Sequence, residues 1–371
     1  MMIRKKLAWL YLKYFKKFTS ISPVPDNFIF YFICYGTLCK YYNYLICIRD
    51  YNNHRLVVRN YPLEISVDVN NICNLCCPLC PTGAQKVDRA KGSMSIDTFK
   101  EILEKFSRYA FRMHFSLWGE PLLHKELPQM VSLTEKSGMG TEISTNLSIN
   151  LSDIYISKLI KAGLSWLIVS IDGASAESYS KYRVNGNYSL VLSNLRRFVQ
   201  LKKEIGYVTP FIEWQYIPFR HNEHEIETVV QEAKDVGVDY LRLKPPRCTY
   251  NEGPNELPDN WLPSLASLQY MIPNNRNYLH DMHCPFLWRW VNINWDSSIS
   301  PCCETYEIKD DLANLHDKDF SLIWNGASFI KSRRLALGGG ANDEKTSMAC
   351  YHCKVFKKPY DLNNNRLVQN R

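Results

Sequence analysis

Long apolar runs are missing from this 371-residue chain. The best candidate, NFIFYFICYGTLC over residues 27–39, is stopped by Lys40 after roughly a dozen residues, whereas a bilayer span needs about 20. It is expected to be a core-facing helix or a membrane-surface contact. No small-residue cleavage site follows it, as an exported leader would require, so a cytoplasmic protein is expected. A large charge excess is missing too. The formal net charge of +8 is mild for the length and sits largely at the ends, in MMIRKKLAWLYLKYFKKF and KVFKKPYDLNNNRLVQNR. Such termini are ordinarily solvated. No nucleic-acid partner is expected, and a weak membrane-surface contact through the N-terminal extension is allowed. A disordered composition is absent as well: 46% hydrophobic and 22% charged residues suit one large folded domain and a smaller one.

Cysteine, by contrast, is plentiful, with 13 in the chain. A reducing compartment disfavours disulfides. Cys34, Cys39, Cys47 and Cys248 are scattered, as buried free thiols would be. The others gather into an early group, Cys73, Cys76, Cys77 and Cys80, and a late one, Cys284, Cys302, Cys303, Cys350 and Cys353. Clustered thiols in such a compartment point to metal.

Between residues 63 and 245 one unit recurs: an apolar strand, a polar turn and an amphipathic helix. Strands are expected at 63–69, 112–118, 140–146, 165–171, 209–217 and 239–245. In SIDTFKEILEKF, Phe99, Ile102, Leu103 and Phe106 follow the spacing of a buried helical stripe. In NEHEIETVVQEAKDVG, Asn222 and Glu225 resemble a capping box and Gly237 a helix stop. Six alternating units imply α/β class and a parallel sheet with right-handed crossovers. An open, partial (β/α)6 TIM-like barrel fits better than a closed eight-fold one. The expected organisation is an N-terminal extension of unread fold (1–62), the barrel (63–250), a connector rich in proline and acidic residues (251–283), and a small cysteine-rich domain (284–371) with a GGGAND stretch before its last cysteine pair.

In parallel barrels the reactive groups collect at the carboxyl ends of the strands. Here those ends carry the cysteine loop, Trp118-Gly119-Glu120-Pro121, Ser144-Thr145-Asn146 and Ser170-Ile171-Asp172-Gly173. Glu213 with Gln215, and Arg242 with Lys244, stand at alternate positions of the last two strands. Cys73, Cys77 and Cys80 form CxxxCxxC, with Cys76 the odd one out. Three thiolates in one loop can hold three irons of a [4Fe–4S] cluster and leave the fourth open. Zinc is the alternative, but it prefers separated pairs of ligands.

CxxxCxxC after a first strand, followed by WGEP, STN and SIDG, resembles the radical S-adenosylmethionine (SAM) superfamily over roughly residues 63–245. The resemblance implies the same partial barrel. It also implies SAM chelated to the open iron of the cluster held by Cys73, Cys77 and Cys80, and reductive cleavage of SAM to a 5′-deoxyadenosyl radical that abstracts hydrogen. Gly119, Glu120 and Pro121 match the family's GGEP motif, from which Trp118 departs. Glu120 is implied to accept from SAM's ammonium group, a charge-assisted bond. Ser144, Asn146 and Ser170 match positions lining the SAM pocket. Asp172 lies near the same mouth, facing SAM or substrate. Arg183, in KYRVNG, resembles the arginine that pairs with SAM's carboxylate. Apart from the resemblance, Ser144 and Asn146 suit ordinary turns and Arg183 a surface. A reductant protein such as flavodoxin or ferredoxin is the implied electron donor.

The late cysteines resemble the SPASM and shorter twitch extensions of this superfamily. Only five are present, so one auxiliary [4Fe–4S] cluster is expected, held by Cys284, Cys302, Cys350 and Cys353. Cys303 could replace Cys302, and a zinc site drawing on the CxxC pair or His352 is the alternative. Four protein ligands leave no open iron, which favours electron transfer and a net oxidation. The expected function is a radical SAM oxidoreductase acting on a small polar molecule: a sugar, aminocyclitol or related alcohol. The alternatives are a peptide maturase and a non-catalytic iron–sulfur redox protein.

Overall fold

A computed structural model of the chain describes residues 2–15, 17–21, 27–246, 261–265, 268, 284–338 and 348–353. Most of the expected connector, Cys248 and the GGGAND stretch lie outside them. Ten strands form one sheet: β1 (Thr19–Ile21), β2 (Glu64–Val67), β3 (Arg112–His114), β4 (Gly140–Thr145), β5 (Trp166–Ser170), β6 (Phe211–Tyr216), β7 (Tyr240–Leu243), β8 (Trp290–Ile293), β9 (Ser298–Ser300) and β10 (Ala313–Asn314). Their order is β1-β7-β6-β5-β4-β3-β2-β8-β9-β10. The expected strands are β2 to β7, all parallel and in sequential order. Two further strands extend this set in parallel. β1 pairs with β7, and β8 pairs with β2 through Glu64↔Trp290 to Val67↔Ile293. β9 and β10 then turn antiparallel.

Thirteen helices accompany the described strands. Those of the repeating unit are α4 (Ile96–Phe106), α5 (Leu127–Lys136), α6 (Asp153–Lys161), the pair α7 (Ala176–Tyr182) and α8 (Tyr188–Ile205), and α9 (Ile226–Val236). Polar side chains start several of them. Ser95, Ser152 and Asn187 each accept from a backbone N–H of the first turn. The stripe Phe99, Ile102, Leu103 and Phe106 is buried as its spacing requires. Gly237 ends α9 at φ 82°, a left-handed position that suits glycine. The expected capping box at Asn222 does not form. Its amide instead donates to Asp172 O and Ile217 O and accepts from Phe219 N, bracing the ends of β5 and β6.

Residues 1–62, unread apart from the apolar run, hold three helices: α1 (Met2–Phe15), α2 (Phe28–Tyr35) and α3 (Leu38–Asn52). The apolar run is α2, and it is core-facing, with Phe30, Tyr31, Cys34 and Tyr35 buried. Asn27 and Tyr31 reach Glu142 on β4, and Phe30 meets Trp166 edge-on at 5.9 Å. No helix among the described residues is long and apolar enough to cross a membrane. The C-terminal part contributes α10 (Phe286–Arg289), α11 (Phe320–Trp324), α12 (Ala327–Ala336) and α13 (Ala349–His352). Phe320, Ile323 and Trp324 are buried packing residues.

Candidate active site

The chain leaves β2 at Val67 and enters the early cysteine loop. A short turn follows, in which Cys80 N–H donates to Cys77 O at 3.1 Å and Ala84 N–H to Cys80 O at 2.8 Å. Cys73, Cys77 and Cys80 pack with Leu75, Tyr182, Ile217, Phe219 and Trp261 in one apolar cluster. Cys76 is exposed and turns away: its N–H donates to Val184 O, and its sulfur accepts from Asn185 at 3.3 Å. Burial pushes the Cys73 thiol up to about 12 and Cys77 to about 11. A bound cation would reverse that preference.

The WGEP segment locks onto this loop. Trp118 and Gly119 N–H groups donate to Asp68 Oδ1 at 3.2 and 3.3 Å, and Glu120 N–H donates to Ile72 O at 2.8 Å. Gly119 passes so close to Asn70 that a Cβ would stand 1.9 Å from Asn70 O. Only glycine fits. Glu120 is buried and already engaged, accepting from Thr145 Oγ1 (2.7 Å), Leu122 N (3.0 Å) and Asn146 N (2.7 Å). Burial raises its pKa. It therefore ties the WGEP turn to the end of β4, while its two oxygens keep acceptor capacity beyond these three bonds.

Around this seam the other expected residues gather. Ser144 N–H donates to Ser116 Oγ at 3.0 Å. Asn146 donates to Asn74 Oδ1 at 3.0 Å and lies 3.8 Å from Cys73 Sγ. Ser170 accepts from Gln215 at 3.2 Å. Asp172 is fully buried and accepts from Arg183 Nε and Ile217 N, both at 2.6 Å. Arg183 caps the end of α7, and its Nη1 approaches Cys77 Sγ at 3.9 Å. Asp172 thus holds Arg183 toward the cysteine loop. Pro121 begins a 3-10 turn behind Glu120.

Two placements differ from expectation. Glu213 and Arg242 do not stand free at the mouth. They are 0% and 1% exposed and form a buried ion pair, with Trp166 Nε1 on Glu213 (2.9 Å) and Gln215 Oε1 on Arg242 (2.8 Å). Alternation gave the correct face but not the pairing. Trp118, the departure from GGEP, crosses to the C-terminal part. Its Nε1 donates to Thr305 O at 2.9 Å and its ring meets Tyr306 edge-on at 5.6 Å. Thr305 in turn bonds Cys302 O through both N–H and Oγ1. The two cysteine groups are therefore linked through one indole.

In the late group, burial holds the Cys284 and Cys302 thiols well above their usual range, and Cys350 and Cys353 act electrostatically on both. Cys303 Sγ instead faces Glu304 at 3.6 Å. Four thiols are a donor set that a [4Fe–4S] cluster takes, one on each iron.

Asp68 and Asn292 were not singled out by sequence. Asp68 is buried, and burial raises it to about 7; its Oδ2 has no hydrogen-bond partner among the described residues. Asn292 on β8 is buried with both amide atoms unpartnered, as is Arg242 Nη1. All three share the inner face. Asp68 follows Ser66 by two residues, and Asn292 follows Trp290, whose indole donates to Ser66 Oγ at 2.7 Å.

Residues 67–233 match the family described as the radical SAM superfamily, and residues 284–354 match SPASM, an iron–sulfur cluster-binding domain. The chain belongs to the radical SAM superfamily. Its cofactors are SAM with the [4Fe–4S] cluster that binds it, and an auxiliary [4Fe–4S] cluster in the SPASM domain. The PqqA peptide cyclase of Bradyrhizobium diazoefficiens is 25% identical over 186 residues, 49% of this chain and 46% of that protein. The chain thus matches less than half the length of that relative. The PqqA peptide cyclase of Xanthomonas campestris pv. campestris is 24% identical over 303 residues, 74% of this chain and 77% of its own length. Among solved structures, Streptococcus suis SuiB bound to S-adenosylmethionine superposes with TM-score 0.58 at 14% identity, covering 84% of this chain and 78% of that one. At that identity the likeness is one of fold.

Proposed function

We propose that this radical SAM protein is an oxidoreductase that removes hydrogen from a small polar alcohol, of the sugar or aminocyclitol kind. The observation that carries the reading is the set of buried, unpartnered polar atoms on the inner face: Asp68 Oδ2, Arg242 Nη1 and the Asn292 amide. Buried polar groups without partners are costly, and a ligand rich in hydroxyl or amino groups would satisfy them. In this proposal Cys73, Cys77 and Cys80 hold the SAM-binding cluster, and Cys284, Cys302, Cys350 and Cys353 the auxiliary one. When bound, SAM and the clusters supply hydrogen abstraction and an electron acceptor, with a flavodoxin or ferredoxin as reductant.

The chain's own groups do the rest. Arg183, fixed by Asp172, meets SAM's carboxylate, and Glu120 and Asn146 border its amino-acid end. Leu75, Tyr182, Ile217 and Phe219 keep water from the cysteine loop. Asp68 takes the substrate's hydroxyl proton on Oδ2, its value near 7 matching a general base at neutral pH. An anaerobic assay of 5′-deoxyadenosine release against a panel of aminocyclitols and sugars tests this. Release stimulated by an alcohol supports it, and release stimulated only by a peptide contradicts it. The second reading, a peptide maturase, draws on the match to PqqA peptide cyclase over 74% of this chain. Among the described residues of 1–62, three helices and the strand β1 pack against the sheet, and a precursor peptide that stimulates 5′-deoxyadenosine release would favour this second reading.

A further inference from the structure

Helices α1 and α3 carry apolar side chains on the side that faces solvent. On α1, Ile3, Leu7, Tyr11 and Tyr14 form one stripe and are 44–78% exposed. On α3, Leu38, Tyr42 and Leu45 repeat the spacing at 64–89%. Arg4 Nη1 donates to Gly36 O at 3.1 Å, tying the first turn of α1 to the turn between α2 and α3. The opposite face of α1 is committed to the fold: Ala8 and Leu12 are buried, and Lys5 pairs with Glu135 at 2.7 Å.

The exposed charges carried by the two helices have one sign. No acidic residue precedes Asp26 in the chain, and Arg4, Lys6, Lys13 and Lys17 are exposed. The one acid of α3, Asp50, is buried and held by Arg59 at 2.9 Å. We propose that α1 and α3 lie flat on an anionic lipid surface, with the apolar stripes in the interface and the lysine stems along its edge. An exposed apolar face whose own helices present only cations to solvent suits lipid headgroups. Lysine's long apolar stem also lets its charge reach the phosphates. The proposal is independent of what the barrel does to its substrate.

Sedimentation of the full chain with vesicles tests it. Vesicles of phosphatidylglycerol mixed with phosphatidylcholine should carry the protein down, and pure phosphatidylcholine should carry much less. Leu7→Glu with Tyr11→Glu, or Leu38→Glu with Leu45→Glu, should lower partitioning by about tenfold or more. Lys6→Glu with Lys13→Glu should weaken binding to the anionic vesicles, and raised salt should do the same. Every variant should still cleave SAM at the parental rate. Wild-type protein that stays in the supernatant with anionic vesicles overturns the proposal. So does partitioning indifferent to these substitutions, or a dimer that the same substitutions dissolve in the absence of lipid binding.

Discussion

At the level of Glu64, Arg112 and Glu142, the inner face of the sheet is occupied by charges that meet one another. Nearer the strand ends, Asp68 and Arg242 each leave a polar atom unmatched among the described residues. In the lower layer Arg112 reaches both Glu64 and Glu142, the latter at 3.1 Å, and Arg289 closes on Glu64 from β8's side. His114 Nδ1 meets Glu142 at 2.7 Å and its ring stacks on Trp290 at 4.6 Å. Its Nε2, 3.9 Å from Glu64, is the looser end. Burial alone would raise both acids, yet Arg112 and Arg289 hold Glu64 well below the usual carboxylate range, and His114 and Arg112 hold Glu142 at about 2. The same residue types thus serve two ends. Paired among themselves they build a floor, and left with open valences beside WGEP they await a ligand.

The comparison breaks most readily at the floor. Arg112→Ala strands two buried carboxylates and should cost about 3–5 kcal/mol in urea unfolding. A neutral result would deny the floor its structural part. At the mouth the effect should fall on catalysis. Asp68→Asn keeps size and hydrogen bonding, so stability should move by no more than about 1 kcal/mol, while turnover should drop about 100-fold. The sign of the pH dependence sharpens this. Burial raises Asp68, so below pH 7 its carboxyl is mostly protonated and cannot take a proton. Turnover should climb through pH 7 and level off above it, and the Asn variant should lose that inflection. Smaller still is the link between the cysteine groups. Trp118→Phe removes the Nε1–Thr305 bond and should cost about 1 kcal/mol, read as a lower unfolding midpoint with iron content unchanged.

Much of this was legible in residue order. β2 to β7 announce themselves through local alternation, and CxxxCxxC with WGEP marks the family. What escaped is set by long-range pairing. β1 and β8 join the sheet through partners more than 200 residues away, and no local pattern encodes that. Strand ends were overextended: residues 112–118 contain a ladder only over Arg112–His114, because the chain bends toward Asp68 there. Glu213 and Arg242 carried the right face but not their pairing, since register decides which side chains meet across strands and alternation does not. Asp68 reads as an ordinary strand residue until the fold buries it behind Gly119.

Iron content after anaerobic reconstitution tests the central assignment most directly. Two [4Fe–4S] clusters mean about eight irons per chain. Replacing Cys73, Cys77 and Cys80 with alanine should leave about four and abolish 5′-deoxyadenosine formation. Undiminished iron with continued cleavage of SAM would contradict the account.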